Sequence, residues 1–326
     1  NTDNDTAGIT LAQTAGLTVS EASTTDTFTI VLDTEPTANV SIGITSDDTG
    51  EVTLSLANVT FTSGNWSTPQ EITLTGVNDD LDDDDQVVNI TTAAATSTDG
   101  NYNGTNPADV SVTNTDNDTA GITLAQTAGL TVSEAGTNDT FTIVLDTEPT
   151  ANVSIGITSD DTGEVTVSPT SVTFTSGNWS TPQEITLTGV NDDLDDDNQV
   201  VNITTAAATS TDDNYNGLNP ADVSVTNNDN DTVGITVNPT TGLTTTEAGG
   251  QASFSVVLDS EPENDVTIAL SSNDTDEGTI STSSLTFTAL NWNAPQFVTI
   301  TGVDDAIADG NTAYSIVTDP AVSTDA

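Results

Sequence analysis

The sequence predicts an all-β fold: tandem immunoglobulin-like antiparallel β-sandwiches with Greek-key connections and about seven strands each. Three observations predict it. Apolar and polar residues alternate at period two, with β-branched residues throughout and no helical period. The chain repeats itself every 113 residues, a length that suits one sandwich domain. Clusters of Gly, Pro, Asn, Asp and Ser punctuate it at short intervals.

The stretch NTDNDTAGITLAQTAGLTVSEA begins at Asn1 and again at Asn114. Trp66, Trp179 and Trp292 keep the same spacing, as do Glu21, Glu134 and Glu247. The expected division is therefore a tail of a preceding repeat at 1–5, then repeats at 6–118, 119–231 and 232–326. The first two copies are nearly identical and the third has diverged. The third stops at Ala326, the counterpart of Gly100, without a last strand or a closing TDND. A segment of a longer tandem array would have this phase. A fibre subunit that borrows a strand from its neighbour is the sharper alternative.

Each element follows from alternation. GITLA and GLTVS supply Ile9, Leu11, Leu17 and Val19. DTFTIVLD places Phe28, Ile30 and Leu32 on one face, with Thr27, Thr29 and Val31 on the other. NVSIGIT alternates at Val40, Ile42 and Ile44, and NVTFTS gives Val59 and Phe61. QEITLTGV gives Ile72 and Leu74, QVVNITT gives Val88 and Ile90, and DVSVTN gives Val110 and Val112. TEPTAN, SDDTG and SGNWSTP read as turns. A two-sheet core of this size can bury enough apolar surface to hold a domain.

Charge is the difficulty. The 326 residues include 51 Asp and Glu and no Lys, Arg or His, a formal charge of −51. Six of the seven residues from Asp79 to Asp85 are acidic, which makes fifteen carboxylate pairs. Each pair at 4 Å repels by about 1 kcal/mol in water and about 4 at an effective dielectric of 20. The chain has no cationic side chain to relieve them. Low apolar content with high charge otherwise marks disorder, so folding completed by an outside cation is expected.

The missing residue types exclude much. Without Cys there are no disulfides, iron–sulfur clusters or thiolate zinc sites, and without His no imidazole ligand or base. Without Lys there is no isopeptide staple or Schiff base. Nucleic acid and anionic membranes are poor partners for a chain with no basic residue. No apolar run reaches 18 residues, so no membrane span is expected in this window.

The acids sit at turns. Glu21 lies in SEA, Asp48 and Glu51 in TSDDTGE, the 79–85 run after the strand ending at Val77, and Asp116 and Asp118 after the last strand. Loops of a sandwich cluster at its two ends, and a hard cation takes six to eight oxygens from such loops. The DNDT segment is also the hinge into the next unit, where an ion would fix the orientation of two domains. The third copy keeps Asp274, Glu277, Asp305 and Asp309 but loses acids at the counterparts of Asp80, Asp82, Asp84 and Asp85. On that comparison Glu21, Asp48, Glu51, Asp79 and Asp83, with their counterparts, are ligand candidates. The competing reading is a set of solvated acids that prevents edge-to-edge aggregation.

The order SEA, TSDDTG, VTFTSGNWSTPQEITLTGV running into NDDLDDDD, then TDND, resembles the Calx-β domain, and the resemblance covers each repeat. Tandem repeats of large bacterial and archaeal surface or adhesin proteins look similar. The resemblance implies a seven-stranded immunoglobulin-like sandwich with Ca2+ at one end. It implies ligands at Glu21, Asp48, Asp79, Asp80, Asp83, Asp116 and Asp118. The second copy offers Glu134, Asp161, Asp192, Asp193, Asp196, Asp229 and Asp231, and the third Glu247, Asp274, Asp305 and Asp309. Glu51, Glu164 and Glu277 rest on the internal comparison alone. The third copy departs at Ala306 and lacks the terminal run.

The Asn–Trp pairs, such as Asn65–Trp66, suit a corner plug over the core better than a sugar-stacking platform. Sequons such as Asn58-Val59-Thr60 offer sites for glycans, although so much Asn and Thr produces sequons by chance. Outward threonines suit exposed strands rather than an ice-binding face. The expected function is thus a calcium-rigidified stalk or fibre in an extracellular or cell-surface adhesin or filament. Its partners would be neighbouring repeats and other copies in a bundled or homopolymeric fibre. The alternatives are a polysaccharide- or surface-ligand-binding module and a strand-exchanging filament subunit. Catalysis is not expected, since only carboxylate pairs remain available and identical short sandwiches offer them no cleft. A halophile surface protein would explain the charge differently, with stability following bulk salt.

Overall fold

A computed structural model describes residues 4–306 and 310–324. Among these residues every regular element is a strand. In the first repeat these are β1 (Ile9–Ala12), β2 (Leu17–Ser20), β3 (Thr25–Leu32), β4 (Val40–Ser46), β5 (Val52–Leu54), β6 (Asn58–Phe61), β7 (Gln70–Gly76), β8 (Gln86–Thr92) and β9 (Val110–Thr115). One sheet has the order β1-β3-β7-β5 and the other β2-β9-β8-β4-β6. The alternating residues interleave between them: Phe28, Ile30, Val40, Ile42, Phe61, Ile72, Leu74 and Ile90 are all 0 % exposed. Trp66 packs half-buried against this core, as the corner-plug reading expects.

Two features refine the sandwich. The first strand is split, because Gln13 and Gly16 take φ of 61° and 71°. These left-handed residues break the run and carry the chain across to the other sheet. β2 consequently runs beside the last strand, and their pairing is parallel (Leu17 with Val112, Ser20 with Thr115), whereas the other pairings are antiparallel. The segment Val52–Leu54 also forms a short strand against β7. The first repeat thus has nine strand segments where about seven strands are expected, eight of them in the alternating stretches and Val52–Leu54 in addition.

The second repeat copies this plan in β10 (Ile122–Ala125), β11 (Leu130–Ser133), β12 (Asn138–Leu145), β13 (Val153–Ser159), β14 (Val165–Ser168), β15 (Ser171–Phe174), β16 (Gln183–Gly189), β17 (Gln199–Thr205) and β18 (Val223–Asn228). It has its own core around Phe141, Phe174 and Tyr215. The third contains β19 (Ile235–Asn238), β20 (Gln251–Leu258), β21 (Val266–Ser272), β22 (Gly278–Ile280), β23 (Ser284–Phe287), β24 (Gln296–Gly302) and β25 (Ile316–Thr318). Its second sheet is reduced to β23-β21-β25. Residues 243–246, the counterpart of β2, form no strand.

Candidate metal centre

The acids gather at the end of each complete repeat that faces the next one. Glu21 follows β2, Glu51 precedes β5, the 78–85 loop joins β7 to β8, and Asp116 and Asp118 follow β9. These four segments are far apart in sequence. The β2–β9 pairing and the β5–β7 pairing bring them together.

Glu21 is only 2 % exposed. Its Oε2 accepts from the Asn117 backbone N–H (3.1 Å) and from Asn117 Nδ2 (2.9 Å). Carboxylate oxygens of Glu21, Asp116 and Asp118 all lie within 4.8 Å of one another, and Glu134, Asp229 and Asp231 repeat the arrangement. Burial pushes the Glu21 carboxyl up to about 7. The Asn117 bond opposes this, while the charges of Asp116, Asp79 and Asp118 add to it. Glu134 is likewise pushed up to about 7 by burial. Burial also raises Asp118, with the charges of Asp116, Asp80 and Asp79 behind it, and raises Asp231.

A second group lies alongside. Glu51 is buried and its Oε2 accepts from Asn114 Nδ2 at 2.9 Å. Burial raises its carboxyl against that bond, helped by the charges of Asp83, Asp79 and Asp48. Glu164 is raised in the same way. Asp83 is raised by burial first, then by Asp79, Asp116 and Asp84, with Gln86 opposing. Its Oδ1 is buried and accepts no hydrogen bond, as is Oδ1 of Asp196. A buried carboxylate oxygen without a donor is unfavourable unless something outside the chain meets it. Asp79 acts on Glu21 and Asp118 in one group and on Glu51 and Asp83 in the other, so it joins the two.

Asp116 organises the loop. Its Oδ1 accepts from the Asp118 N–H (2.7 Å), and its Oδ2 accepts from the N–H groups of Asp83 (3.0 Å) and Asp84 (3.1 Å). Asp84 has φ of 63°, and Gly310 occupies the same place in the third repeat with φ of 82°. That position needs a left-handed residue, which Gly and Asp tolerate. Asp84 is therefore explained by backbone conformation, and its side chain is exposed.

Of the remaining candidates, Asp48 and Asp161 are exposed and accept from the Gly50 and Gly163 N–H groups (2.9 Å each). Asp80 and Asp193 are exposed, while Asp79, Asp192 and Asp196 are half-buried. In the third repeat Glu247 is exposed and Asp274 and Glu277 are half-buried. Asp305 follows β24. Asp309 lies outside the described residues.

Several contributors escape the sequence. Asn114 and Asn117 hold the two buried glutamates. Asp82 Oδ2 accepts from the Ala120 N–H (2.8 Å), tying the loop to the hinge. The loop also reaches the next repeat: Asp80 O accepts from the Glu148 N–H (2.7 Å) and Asp82 O from Asn214 Nδ2 (2.6 Å). Asp193 O accepts from the Glu261 N–H (2.7 Å) at the following junction. Glu148 and Glu261 lie in the Glu-Pro turns that follow β12 and β20 of the next unit. The recurrence of DND at Asp116–Asp118 and Asp229–Asp231, with Asn between the acids, is the one sequence signal for Asn117 and Asn230.

No family model and no curated protein matches the chain. Among solved structures, the calcium binding domain CBD12 of CALX1.1 aligns at 15% identity over 63% of this chain and 79% of that one, with a TM-score of 0.28. An I-band fragment of titin aligns at 11% identity over 93% and 90%, with a TM-score of 0.27. Domains 4 and 5 of the S-layer protein SbsC align at 16% identity over 58% and 75%, with a TM-score of 0.24. At TM-scores below 0.3 none of these likenesses bears on function.

Proposed function

We infer that this chain is a non-catalytic structural repeat segment of an extracellular or cell-surface protein, stiffened by Ca2+ at the ends of its repeats. The observation that carries the reading is the convergence of buried and half-buried carboxylates in a chain with no cationic side chain. Glu21, Asp116 and Asp118 lie together, and the Asp83 Oδ1 beside them has no donor. Oxygen-only donors of this kind suit a hard cation. Glu21, Asp79, Asp80, Asp116 and Asp118 would hold one ion, and Glu51, Asp48, Asp79 and Asp83 a neighbouring one. The ion would supply positive charge and nothing redox or hydrolytic.

The same loop touches the next repeat through the Asp80 and Asp82 carbonyl oxygens. An ion that orders the loop would therefore also restrict the junction, which is the mechanical property of a stalk. Extracellular calcium modules bind at roughly 10⁻⁴–10⁻³ M, so export would trigger stiffening. Other copies in a bundled fibre, and glycans on the exposed sequons, are the partners this reading favours.

Calorimetry of the full chain tests it, in EGTA and then with calcium from micromolar to ten millimolar against sodium chloride of equal ionic strength. The expected result is a rise in Tm specific to calcium. It should be lost when Asp79→Asn and Asp83→Asn are combined with Asp192→Asn and Asp196→Asn. An equal response to sodium would leave only charge screening and favour the halophile explanation.

A further inference from the structure

The third repeat exposes apolar side chains where the first two expose polar ones. In its stretch TALNWNAPQF, Ala289, Leu290, Ala294 and Phe297 stand at the positions of Ser63, Gly64, Thr68 and Glu71 in TSGNWSTPQE. The second repeat keeps the polar set of the first, at Ser176, Gly177, Thr181 and Glu184. All four changed residues are exposed, Leu290 at 96 % and Phe297 at 71 %. Val87 and Val200 are exposed as well, but each stands opposite a threonine, and a single exposed apolar residue is ordinary.

The two large residues belong to one region. Val298 and Ile300 of β24 point into the core, so Phe297 between two core positions lies on the outer face, beside Ser255 of β20. The turn that carries Leu290 is closed by the Asn291 and Trp292 N–H groups on Thr288 O (3.0 Å each). It docks on the same strand, where the Leu258 N–H donates to Trp292 O (3.1 Å). This sheet, β19-β20-β24-β22, has all four strands of β1-β3-β7-β5. The exposure of Phe297 therefore owes nothing to the smaller second sheet.

Charge is lost from the same sheet. Its counterparts carry Asp26 and Glu71 in the first repeat, and Asp139 and Glu184 in the second. The four strands β19, β20, β24 and β22 contain no Asp or Glu. Asp259, just beyond β20, accepts from Thr236 Oγ1 of the edge strand at 2.8 Å. A chain of charge −51 repels its own copies, most strongly where carboxylates would face carboxylates. A sheet without acids and with an apolar centre lets two copies approach. A cationic partner would find no carboxylate in these strands to pair with. A two-fold contact is self-complementary, so Leu290 and Phe297 of one copy would cover those of the other.

We propose that this face of the third repeat is the contact between two copies of the chain, packed sheet on sheet about a two-fold axis. It supplies the surface for the bundled fibre of the proposed function, and rests on that part of the reading and not on calcium.

Sedimentation equilibrium of the full chain in EGTA, from about 1 to 100 μM, tests it. The expected result is a monomer–dimer equilibrium that strengthens with sodium chloride, because salt screens the repulsion between two polyanions and leaves apolar burial intact. Hydrogen exchange should slow in the dimer at 288–299. Leu290→Gly with Phe297→Glu restores the residues of the first two repeats. It should weaken association at least about a hundredfold at an unchanged urea midpoint, since a two-fold contact loses each anchor twice. Gly64→Leu with Glu71→Phe is the converse. A Cβ at Gly64 would meet only Thr62 Oγ1, at 3.7 Å, so the larger side chain fits, and the second patch should carry association beyond the dimer. A monomer throughout, whether or not it binds a polysaccharide through Phe297, would overturn the proposal. Association that Leu290→Gly with Phe297→Glu leaves unchanged would do so too. A calcium-specific rise in Tm without association would refute this surface alone and leave the metal reading standing. Association in EGTA with no calcium effect on Tm would do the reverse.

Discussion

Removing calcium should reverse the sign of the pH dependence of stability. In the metal-free protein burial raises Glu21 and Glu134 from 4.5 to about 7. The folded state then holds their protons more tightly than the unfolded state. Stability is greatest near and below pH 4.5 and declines as pH rises through 7. A shift of about 2.5 units at 1.36 kcal/mol per unit is a ceiling of about 3 kcal/mol in each of the first two repeats. Water on the exposed Asp80 side screens part of this and leaves about 1–2 kcal/mol. For a domain of this length that is on the order of 5–10 °C in Tm. With calcium the ligands must be deprotonated, so stability should instead increase across the same interval. The assay is calorimetry of the full chain from pH 5.5 to 7.5 at constant ionic strength, above the range where ordinary carboxylates titrate. Glu21→Gln with Glu134→Gln should flatten the EGTA profile. A flat EGTA profile in the unsubstituted chain, or the same sign of slope with and without calcium, would refute the reasoning.

The core makes further predictions, all readable by urea unfolding of the full chain. Gly76→Ala should destabilise the first repeat by about 1–3 kcal/mol, because the new Cβ would fall on Ser20 O and Asn114 Oδ1. Tyr102→Phe should cost about 1–3 kcal/mol, since the hydroxyl donates to Thr34 O (2.7 Å) and accepts from the Thr34 N–H (3.1 Å). Asn114→Ala should cost a similar amount in EGTA by leaving Glu51 without its amide donor, and calcium should recover part of the loss. Unchanged midpoints in any of these would show that the contact contributes nothing measurable.

The sandwich is legible in the sequence because its signal is local. Each of DTFTIVLD, NVSIGIT and QEITLTGV carries its own alternation, and the buried set Phe28, Ile30, Leu32, Ile42 and Leu74 follows directly. Two elements are not local. Val52–Leu54 is too short to show a period, and it becomes a strand only because β7 offers it an edge. Tyr102 stands in TDGNYNG, which reads as a turn, yet its hydroxyl reaches Thr34, 68 residues earlier. Asp99 in the same turn accepts from the Thr37 and Asn101 N–H groups, which hold its carboxyl below the usual range. Pattern reading cannot find such pairs, because their partners share no periodicity.

The candidate site shows the same division. The acids can be named one by one, and comparison of the copies singles out Glu51, which is buried. Their grouping cannot be read from the chain, because it depends on which strands adjoin. Glu21 is 2 % exposed in the first repeat, where β9 runs beside β2 and Asn117 lies over its carboxylate. Glu247 occupies the same sequence position in the third repeat, where among the described residues no strand pairs with 243–246, and it is exposed. The SEA or TEA context is nearly the same in both. In the first repeat the last strand closes the apolar core and carries Asn117, Asp116 and Asp118 to the end of the sandwich. One element both completes the fold and assembles the carboxylates, so cation binding and closure of the repeat are linked through β9.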